Sequence, residues 1–267
     1  MKLGFIGGGN MASAIIRGIV RRDFLAPENI VVFDTDSGKL KLLAVDTGIQ
    51  RRFSAYDVVQ EADMILLAVK PNVILQIAEV LKDSITHNRR PVISIAAGTS
   101  LEKLEQALGH ETPIVRVMPN INLTVGAGAA AVCGNRNASR ETIDFVLQIF
   151  RSAGTAVELE EKYFSVFSAI AGCSPAYAFL FIDSLARAAV RHGLPKEQAT
   201  LIAAQAVFGS ARMVLESPEI PWALIDKVCS PGGTTIEGLL DMEDSGFISA
   251  VVRAVDSAVR KDKALMG

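Results

Sequence analysis

The first half of the chain alternates short apolar runs with segments of helical periodicity. Short, continuously apolar runs suit strands buried on both faces, and their alternation with helices is typical of a parallel sheet covered by crossover helices. We therefore predict an α/β domain with a doubly wound, mostly parallel sheet. The predicted strands span residues 3–6, 30–33, 64–69, 92–95, 114–118, 125–133 and 156–159, and the predicted helices span residues 11–22, 38–45, 73–81, 101–108 and 141–152.

The second half of the chain is helical in almost every window after an acidic cluster at residues 158–161. The helices around residues 176–189 and 199–211 carry apolar side chains on nearly all faces, and a helix that is apolar all round must be buried all round. A helical domain of about a hundred residues offers little interior for two such helices. The pattern predicts one domain over residues 1–159, a second over residues 160–267, and a homodimer that buries these helices. The predicted helices span residues 177–192, 196–216, 236–241 and 247–264.

Composition and charge narrow the class of partner. The chain has 267 residues, 50% of them hydrophobic, with 27 Lys and Arg against 29 Asp and Glu and a formal net charge of −2. This excludes intrinsic disorder, and the near-zero charge provides no field that would attract nucleic acid or an anionic membrane. No uninterrupted apolar run approaches the roughly 18 residues of a membrane helix, and the first residues show no signal-peptide pattern. We expect a cytoplasmic protein with a small-molecule partner.

The cysteines and the titratable residues show no catalytic or metal-binding motif. Cys133, Cys173 and Cys229 are widely spaced and form no C-x-x-C pair, so reduced thiols and no metal site are expected. The chain also lacks an H-E-x-x-H motif, a Walker loop and an obvious catalytic triad. The lack of an obvious acid or base fits hydride transfer, in which the cofactor carries the difficult chemistry.

A glycine cluster follows the first predicted strand and opens the first predicted helix. Residues 6–12 read IGGGNMA and fit G-x-G-x-x-G/A with Gly7, Gly9 and Ala12. Gly7 allows a tight turn, Gly9 lets the backbone approach a pyrophosphate, and Ala12 lets helix and strand pack closely. The free N–H groups and positive dipole end of the helix would face the phosphates. This context predicts a dinucleotide site, and a glycine turn without a ligand is the alternative.

Two carboxylates flank the end of the second predicted strand, at Asp34 and Asp36. A carboxylate there can accept hydrogen bonds from both ribose hydroxyls and would repel a 2′-phosphate, which favours NADH over NADPH. Lys39 and Lys41 lie close enough in the sequence to offset this charge, so the preference is mild. The alternative is that one of the two carboxylates only caps the following helix.

A second glycine motif lies in the helical half, where residues 229–237 read CSPGGTTIE. Thr234 and Glu237 have capping-box spacing, so a helix is predicted to start there. The glycine pair in front exposes N–H groups without side chains, which suits a small carboxylate. The spacing alone is equally compatible with a capped helix start that binds nothing.

Seven stretches of the chain, the two glycine motifs included, carry one resemblance: FIGGGNMASAI (5–15), LLAVKP (66–71), SIAAGTSL (94–101), RVMPN (116–120), GCSPAYAFLFID (172–183), GLPKEQA (193–199) and VCSPGGTTIEGL (228–239). Together they resemble the motifs of one family, the pyrroline-5-carboxylate reductases. The resemblance implies a Rossmann domain followed by an all-helical dimerisation domain, with dimers often assembled into a larger ring. It also implies NAD(P)H-dependent reduction of L-1-pyrroline-5-carboxylate to L-proline, the last step of proline biosynthesis.

The resemblance further implies roles for individual residues. Thr235 matches the family threonine whose hydroxyl lies beside the imine nitrogen, and a hydrogen-bonding or relay role suits it because a bare hydroxyl is a poor acid. The implied substrate-binding residues are Ser230, Gly232, Gly233, Thr234 and Thr235. The implied cofactor-binding residues are Ile6, Gly7, Gly8, Gly9, Asn10, Met11, Ala12, Asp34, Ala68, Val69, Lys70, Pro71, Ala96, Ala97, Gly98 and, near the nicotinamide end, Asn120.

Three places depart from the family pattern. Ile121 and Asn122 stand where the family usually has Thr-Pro, Ala55 replaces an Asn that touches the adenosine, and Cys173 replaces Gly or Ser. The first change leaves open an enzyme for a related cyclic imino acid, for instance one with a six-membered ring. A dinucleotide-binding regulatory homologue without turnover is a further alternative, against which the retained SPGGTT turn argues.

Overall fold

A computed structural model describes residues 1–266, and the chain divides into two compact units. Unit 1 comprises Met1–Gly172 together with the residues from Ala258 onward, and unit 2 comprises Cys173–Ser257. Unit 1 carries an eight-stranded sheet. Its strands are β1 (Leu3–Ile6), β2 (Ile30–Phe33), β3 (Gln50–Arg51), β4 (Met64–Leu67), β5 (Val92–Ser94), β6 (Ile114–Pro119), β7 (Gly128–Gly134) and β8 (Gly154–Glu158).

The strand order is β3-β2-β1-β4-β5-β6-β7-β8, and every neighbouring pair is parallel except β6 and β7. Leu3 of β1 is in register with Ile30 of β2 on one side and Met64 of β4 on the other. The chain therefore builds outward from β1 in one direction and then, from β4, in the other. In such sheets a ligand binds at the carboxyl ends of the strands where the order reverses, which here is between β1 and β4.

Helices cover both faces of the sheet, and the alternation of side chains along β1 shows which helices lie on each face. The helices of unit 1 are α1 (Asn10–Arg21), α2 (Ser37–Thr47), α3 (Ala55–Glu61), α4 (Pro71–His87), α5 (Leu101–Leu108), α6 (Arg140–Arg151) and α7 (Phe164–Phe167). Leu3 and Phe5 belong to a core formed with α1, α2 and α6, whereas Ile6 belongs to a second core formed with α3, α4 and α5. Gly4 faces α3 so closely that a Cβ there would lie 2.5 Å from a Val58 methyl carbon.

Each strand and helix predicted within residues 1–159 is present, with some of its ends shifted, and three larger differences remain. The sequence did not predict β3, which pairs through two exposed residues, or α3, which has only seven residues. A capping box between Ser54 and Asp57 starts α3, and the burial of Val58 and Val59 holds it in place. The third difference is the direction of β7, which runs antiparallel to β6 because the connection between them is too short for a crossover.

After β8 a partly buried ion pair fixes the chain to the sheet. The guanidinium of Arg116, on β6, lies 2.6 Å from Glu161 and 4.7 Å from the ring centre of Phe164. The same Glu161 oxygen accepts a hydrogen bond of 2.7 Å from the N–H of Leu101, the first residue of α5. Arg116 is only 3% exposed, so its charge needs compensation inside the protein, and Glu161 supplies part of it. The π-helical turn Ser168–Cys173 then leads out of unit 1.

Unit 2 is helical throughout, as predicted, with one short additional helix. Its helices are α8 (Ser174–Arg191), α9 (Lys196–Glu216), the additional α10 (Pro221–Val228), α11 (Thr234–Asp244) and α12 (Phe247–Met266), and the residues of α12 from Ala258 onward belong to unit 1. Helices α8 and α9 pack against each other and bury small side chains, among them Ala186, Ala199 and Ala203. Their large apolar side chains are exposed in the single chain, so this unit presents an apolar surface that needs a cover. The exposed apolar residues of α8 and α9 include Phe179, Leu180, Leu201, Ile202, Phe208 and Leu215.

One continuous helical stretch of the described chain, Glu161–Arg191, is long and apolar enough to cross a membrane by length and composition. The sequence expectation considered only uninterrupted apolar runs and passed over this stretch, which small and polar residues interrupt. A buried helix of a soluble protein meets the same criterion, so the finding alone does not define a membrane span.

Candidate active site

The glycine loop after β1 is tied to both neighbouring strands. The N–H of Gly7 donates to Phe33 of β2 (2.8 Å), and the N–H of Ala68, after β4, donates to Ile6 (2.8 Å). Gly7 has a φ of 103°, and a Cβ on it would lie 2.6 Å from the carbonyl oxygen of Ala68. Only glycine fits this turn, as the sequence motif predicted.

The other two motif positions also have the predicted environments. Above Gly9 there is open space, since a Cβ built there meets no atom within 4 Å, and Ala12 is buried against the core. Gly9 is the N-cap of α1 and provides no side-chain cap, so the first N–H groups of the helix stay available to a ligand. The space and the donors together fit a pyrophosphate.

Asp34 and Asp36 have different environments. The Asp34 carboxylate accepts hydrogen bonds from the N–H of Gly8 (2.6 Å) and the N–H of Asp36 (2.7 Å). Asp36 is the N-cap of α2 and accepts from the N–H of Lys39 (3.0 Å), a bond that lowers the pKa of its carboxyl group. The capping role considered for this pair therefore belongs to Asp36, and Asp34 lies on the wall of the cavity described next.

A cavity of about 680 Å³ opens at the carboxyl ends of β1, β2 and β4. It brings together seven of the residues that the sequence assigned to the cofactor: Ile6, Gly7, Gly9, Asp34, Ala68, Val69 and Lys70. The sequence reasoning missed the wall formed by α3 and α4, which includes Tyr56, Val73, Gln76, Ile77 and Val80. The Tyr56 hydroxyl donates to the carbonyl of Val80 (3.1 Å) and so joins the two helices.

The remaining predicted cofactor residues of unit 1 do not line this cavity. Ala96, Ala97 and Gly98 form a turn after β5, where Gly98 has a φ of 71° and open space beside it. Asn120 directly follows β6 and is only 6% exposed. Its amide is engaged with the backbone, since Oδ1 accepts from Ala129 (2.9 Å) and Nδ2 donates to the carbonyl of Ala171 (3.0 Å). Asn10 and Met11 lie in the first turn of α1, and Pro71 begins α4.

In unit 2 the second glycine motif forms a turn followed by α11. Gly232 has a φ of 67°, and the N–H of Gly233 donates to the carbonyl of Ser230 (3.0 Å). The helix begins at Thr234, one residue before the position that the predicted capping box requires, and that box is absent, because Gly233 is the N-cap and no side chain caps the helix. The leading N–H groups of α11, those of Thr234 and Thr235 included, therefore have no side-chain cap.

The described residues give no indication of a metal site or of a reactive thiol. No group of three His, Cys, Asp or Glu side chains among those residues could hold a metal ion. All three cysteines are free, and burial together with the nearby Glu161 carboxylate raises the pKa of the Cys133 thiol to about 12. A thiol with such a pKa stays protonated and is a poor nucleophile.

The fold and the glycine-loop cavity define a Rossmann-type oxidoreductase that uses NAD(P)H. Comparison with known proteins agrees, since a family model described as "NADP oxidoreductase coenzyme F420-dependent" matches residues 2–98 and one described as "Pyrroline-5-carboxylate reductase dimerisation" matches residues 161–265. The chain is 42% identical to the pyrroline-5-carboxylate reductase of Escherichia coli strain K12, over 99% of this chain and 98% of that protein. It is 39% identical to that of Methanosarcina acetivorans, over 99% and 97%.

Solved structures give the same result. A pyrroline-5-carboxylate reductase from Coxiella burnetii is 34% identical and superposes with a TM-score of 0.95, covering 99% of this chain and 98% of that one. The Plasmodium falciparum pyrroline carboxylate reductase, solved with NADP bound, is 34% identical with a TM-score of 0.88, covering 100% and 98%. The chain belongs to the pyrroline-5-carboxylate reductase family.

Proposed function

We propose that this chain reduces L-1-pyrroline-5-carboxylate to L-proline with NADH or NADPH, in proline biosynthesis. The observation that carries the proposal is the full-length similarity to pyrroline-5-carboxylate reductases, which includes both the glycine-loop half and the SPGGTT half of the chain. A dinucleotide-binding regulator would need only the first half. Retention of the second favours an enzyme.

The cofactor is proposed to lie in the 680 Å³ cavity, with its pyrophosphate over Gly9 and the first turn of α1. The open space at Gly9 and the uncapped helix start support this placement. We propose that residues 68–71 and 96–98, at the ends of β4 and β5, extend the site toward the nicotinamide. The bound cofactor supplies the hydride, and the protein supplies binding and orientation.

Asp34 is proposed to accept hydrogen bonds from the ribose hydroxyls and to favour NADH mildly over NADPH. Each oxygen of its carboxylate already accepts one backbone N–H, and each keeps a lone pair for a ribose hydroxyl. A 2′-phosphate beside this carboxylate would be repelled. Among the homologues, the Plasmodium falciparum protein was solved with NADP bound, so both cofactors belong in the test.

The substrate carboxylate is proposed to bind the SPGGTT turn. Ser230, Gly232, Gly233, Thr234 and Thr235 form a turn and an uncapped helix start, where N–H groups and the helix dipole favour an anion. We propose that the Thr235 hydroxyl hydrogen-bonds the imine nitrogen and relays a proton to it from solvent. Hydride then adds to the C=N carbon, the nitrogen keeps the proton, and proline results. Holding the two rings in contact can supply several kcal/mol of the barrier.

The chain is a homo-oligomer built on its dimerisation domain, and we propose a dimer that assembles further into a larger ring. The exposed apolar faces of α8 and α9 support a partner copy as the cover. We further propose the division into a dinucleotide-binding domain, residues 1–159, and a substrate-binding and dimerisation domain, residues 160–267. A cytoplasmic location is part of the same proposal.

The test is oxidation of NADH and of NADPH by the purified chain with pyrroline-5-carboxylate and with its six-membered analogue. We expect turnover with pyrroline-5-carboxylate and a higher kcat/KM with NADH. Preference for the six-membered imine would indicate a reductase of that related cyclic imino acid, in keeping with the Ile121-Asn122 departure. Absence of turnover with either imine would refute both enzymatic functions and leave the regulatory homologue.

A further inference from the structure

The side chain of Asn120 joins two segments of unit 1 that are distant in sequence. Its Oδ1 accepts the N–H of Ala129, at the start of β7, and its Nδ2 donates to the carbonyl of Ala171. The backbone of Asn120 pairs with Ala129 as well, through an N–H to carbonyl bond of 3.0 Å. The amide therefore serves as a bridge between the end of β6 and the π-helical turn Ser168–Cys173.

The sequence explains why Ala171 takes a donor from a side chain. In a regular helix its carbonyl would accept the N–H of the residue four positions on, which here is Pro175. Proline has no N–H, so that bond cannot form. Asn120 Nδ2 supplies a hydrogen to this carbonyl at 3.0 Å. Asn120, in the PN pair at residues 119–120, thus supplies the hydrogen-bond donor that Pro175, in the SP pair at residues 174–175, lacks.

We propose that Asn120 is a positioning residue for hydride transfer, holding the π-helical turn from which the chain continues into α8, and that it acts without contacting the cofactor. This inference rests on the proposed function. Hydride transfer needs the imine carbon held against the nicotinamide, and a displacement of about 1 Å can cost up to a hundredfold in rate. π-helical turns recur at functional sites, where they direct the chain away from regular helix geometry.

Two variants separate the two hydrogen bonds of the amide. Asn120→Asp keeps an acceptor for Ala129 and removes the donor to Ala171, whereas Asn120→Ala removes both. Asn88→Ala is the matched control, because its amide also donates to a backbone carbonyl, that of Ser84 (2.8 Å), but lies at the end of α4. For each variant we would measure the nucleotide Kd, kcat, the KM for the imine, and hydrogen exchange over residues 168–176.

A positioning role predicts a specific set of results. Asn120→Asp should lower kcat/KM for the imine at least about tenfold while the NADH Kd changes less than about twofold. Exchange over residues 168–176 should become faster, and Asn88→Ala should leave both readouts unchanged. A parallel loss of nucleotide affinity would instead show that Asn120 contacts the cofactor, and unchanged turnover or unchanged exchange would also overturn the proposal.

A substitution at Pro175 should restore part of the turnover that Asn120→Asp loses, which a merely structural role of Asn120 would not predict. Pro175→Ala restores a backbone N–H that can donate to Ala171, so combining it with Asn120→Asp should recover at least about threefold of the lost kcat/KM. No recovery would contradict the proposed origin of the bond. A wild-type chain without imine turnover would refute the proposed function, whereas the exchange data would still report whether Asn120 holds the π-helical turn.

Discussion

Replacing Glu161 by Ala should destabilise unit 1 far more than replacing its neighbour Glu160. Glu161 pairs at 2.6 Å with Arg116, whose side chain is 4% exposed, and also accepts the N–H of Leu101 at 2.7 Å. Glu160 pairs with Lys162 at 2.7 Å, but both of those side chains are well exposed. Both variants thus remove a glutamate carboxylate. The two positions are adjacent in the sequence, but their surroundings differ.

The burial of Arg116 sets the expected magnitude. Removing one partner of a buried ion pair costs about 3–5 kcal/mol, because the remaining desolvated charge loses an oppositely charged neighbour. The Glu161 side chain is 32% exposed, and the Phe164 ring stays against the guanidinium, so we take the lower end, about 3 kcal/mol. The exposed pair of Glu160 contributes about 0–1 kcal/mol. The two variants should therefore differ by roughly 2–3 kcal/mol in the free energy of unfolding.

Urea unfolding of both variants and the wild type provides the measurement. All samples need the same protomer concentration and no nucleotide, because association and ligand binding both raise apparent stability. Glu161→Gln is a useful intermediate, since it keeps an oxygen for Leu101 but removes the charge that faces Arg116. A difference between Glu161→Ala and Glu160→Ala below about 1 kcal/mol would show that the buried pair does not hold the chain to the sheet.

Three further predictions concern the cofactor, the pH dependence of stability and the substrate. Asp34→Ser should shift the ratio of kcat/KM toward NADPH by at least about tenfold, and no shift would remove the ribose role of Asp34. Arg52 and Lys2 lower the pKa of Glu61 from 4.5 to about 2, so its contribution is complete above pH 4.5 and is lost as the pH falls toward 2. When the free energy of unfolding is measured as the pH is lowered, it should decrease by about 1–2 kcal/mol less in Glu61→Gln than in the wild type. Thr235→Ala should lower kcat/KM for the imine more than about tenfold and Thr235→Ser should restore most of it, whereas a smaller loss would contradict the assigned role.

The strands and helices that follow from the spacing of hydrophobic residues were predictable from the sequence. The four apolar residues of β1 and the glycine turn behind them define the strand, the loop and the start of α1, and the positive φ of Gly7 follows from the motif. The short helix α3 was not predicted, since only Val58 and Val59 are buried in it and its start depends on a side-chain cap. The two exposed residues of β3 pair through their backbones and leave no hydrophobic pattern.

The site was predictable where a motif requires one backbone geometry. The loop at Gly7 and Gly9 and the cavity wall at Asp34 belong to this class. The contribution of Tyr56 and Gln76 to the cavity wall was not predictable, because it depends on α3 and α4 packing side by side at the carboxyl edge of the sheet. The capping box at α11 was wrong by one position, since spacing cannot tell whether the N-cap is the threonine or the glycine before it.

The central claim is that this chain moves a hydride from the nicotinamide to the C=N carbon of pyrroline-5-carboxylate. The direct test is a reaction with NADH deuterated at the transferred position of C4, with the product identified by mass spectrometry and NMR. We predict L-proline that carries one deuterium, located at C5. Formation of no proline, or of proline without deuterium at C5, would contradict the account.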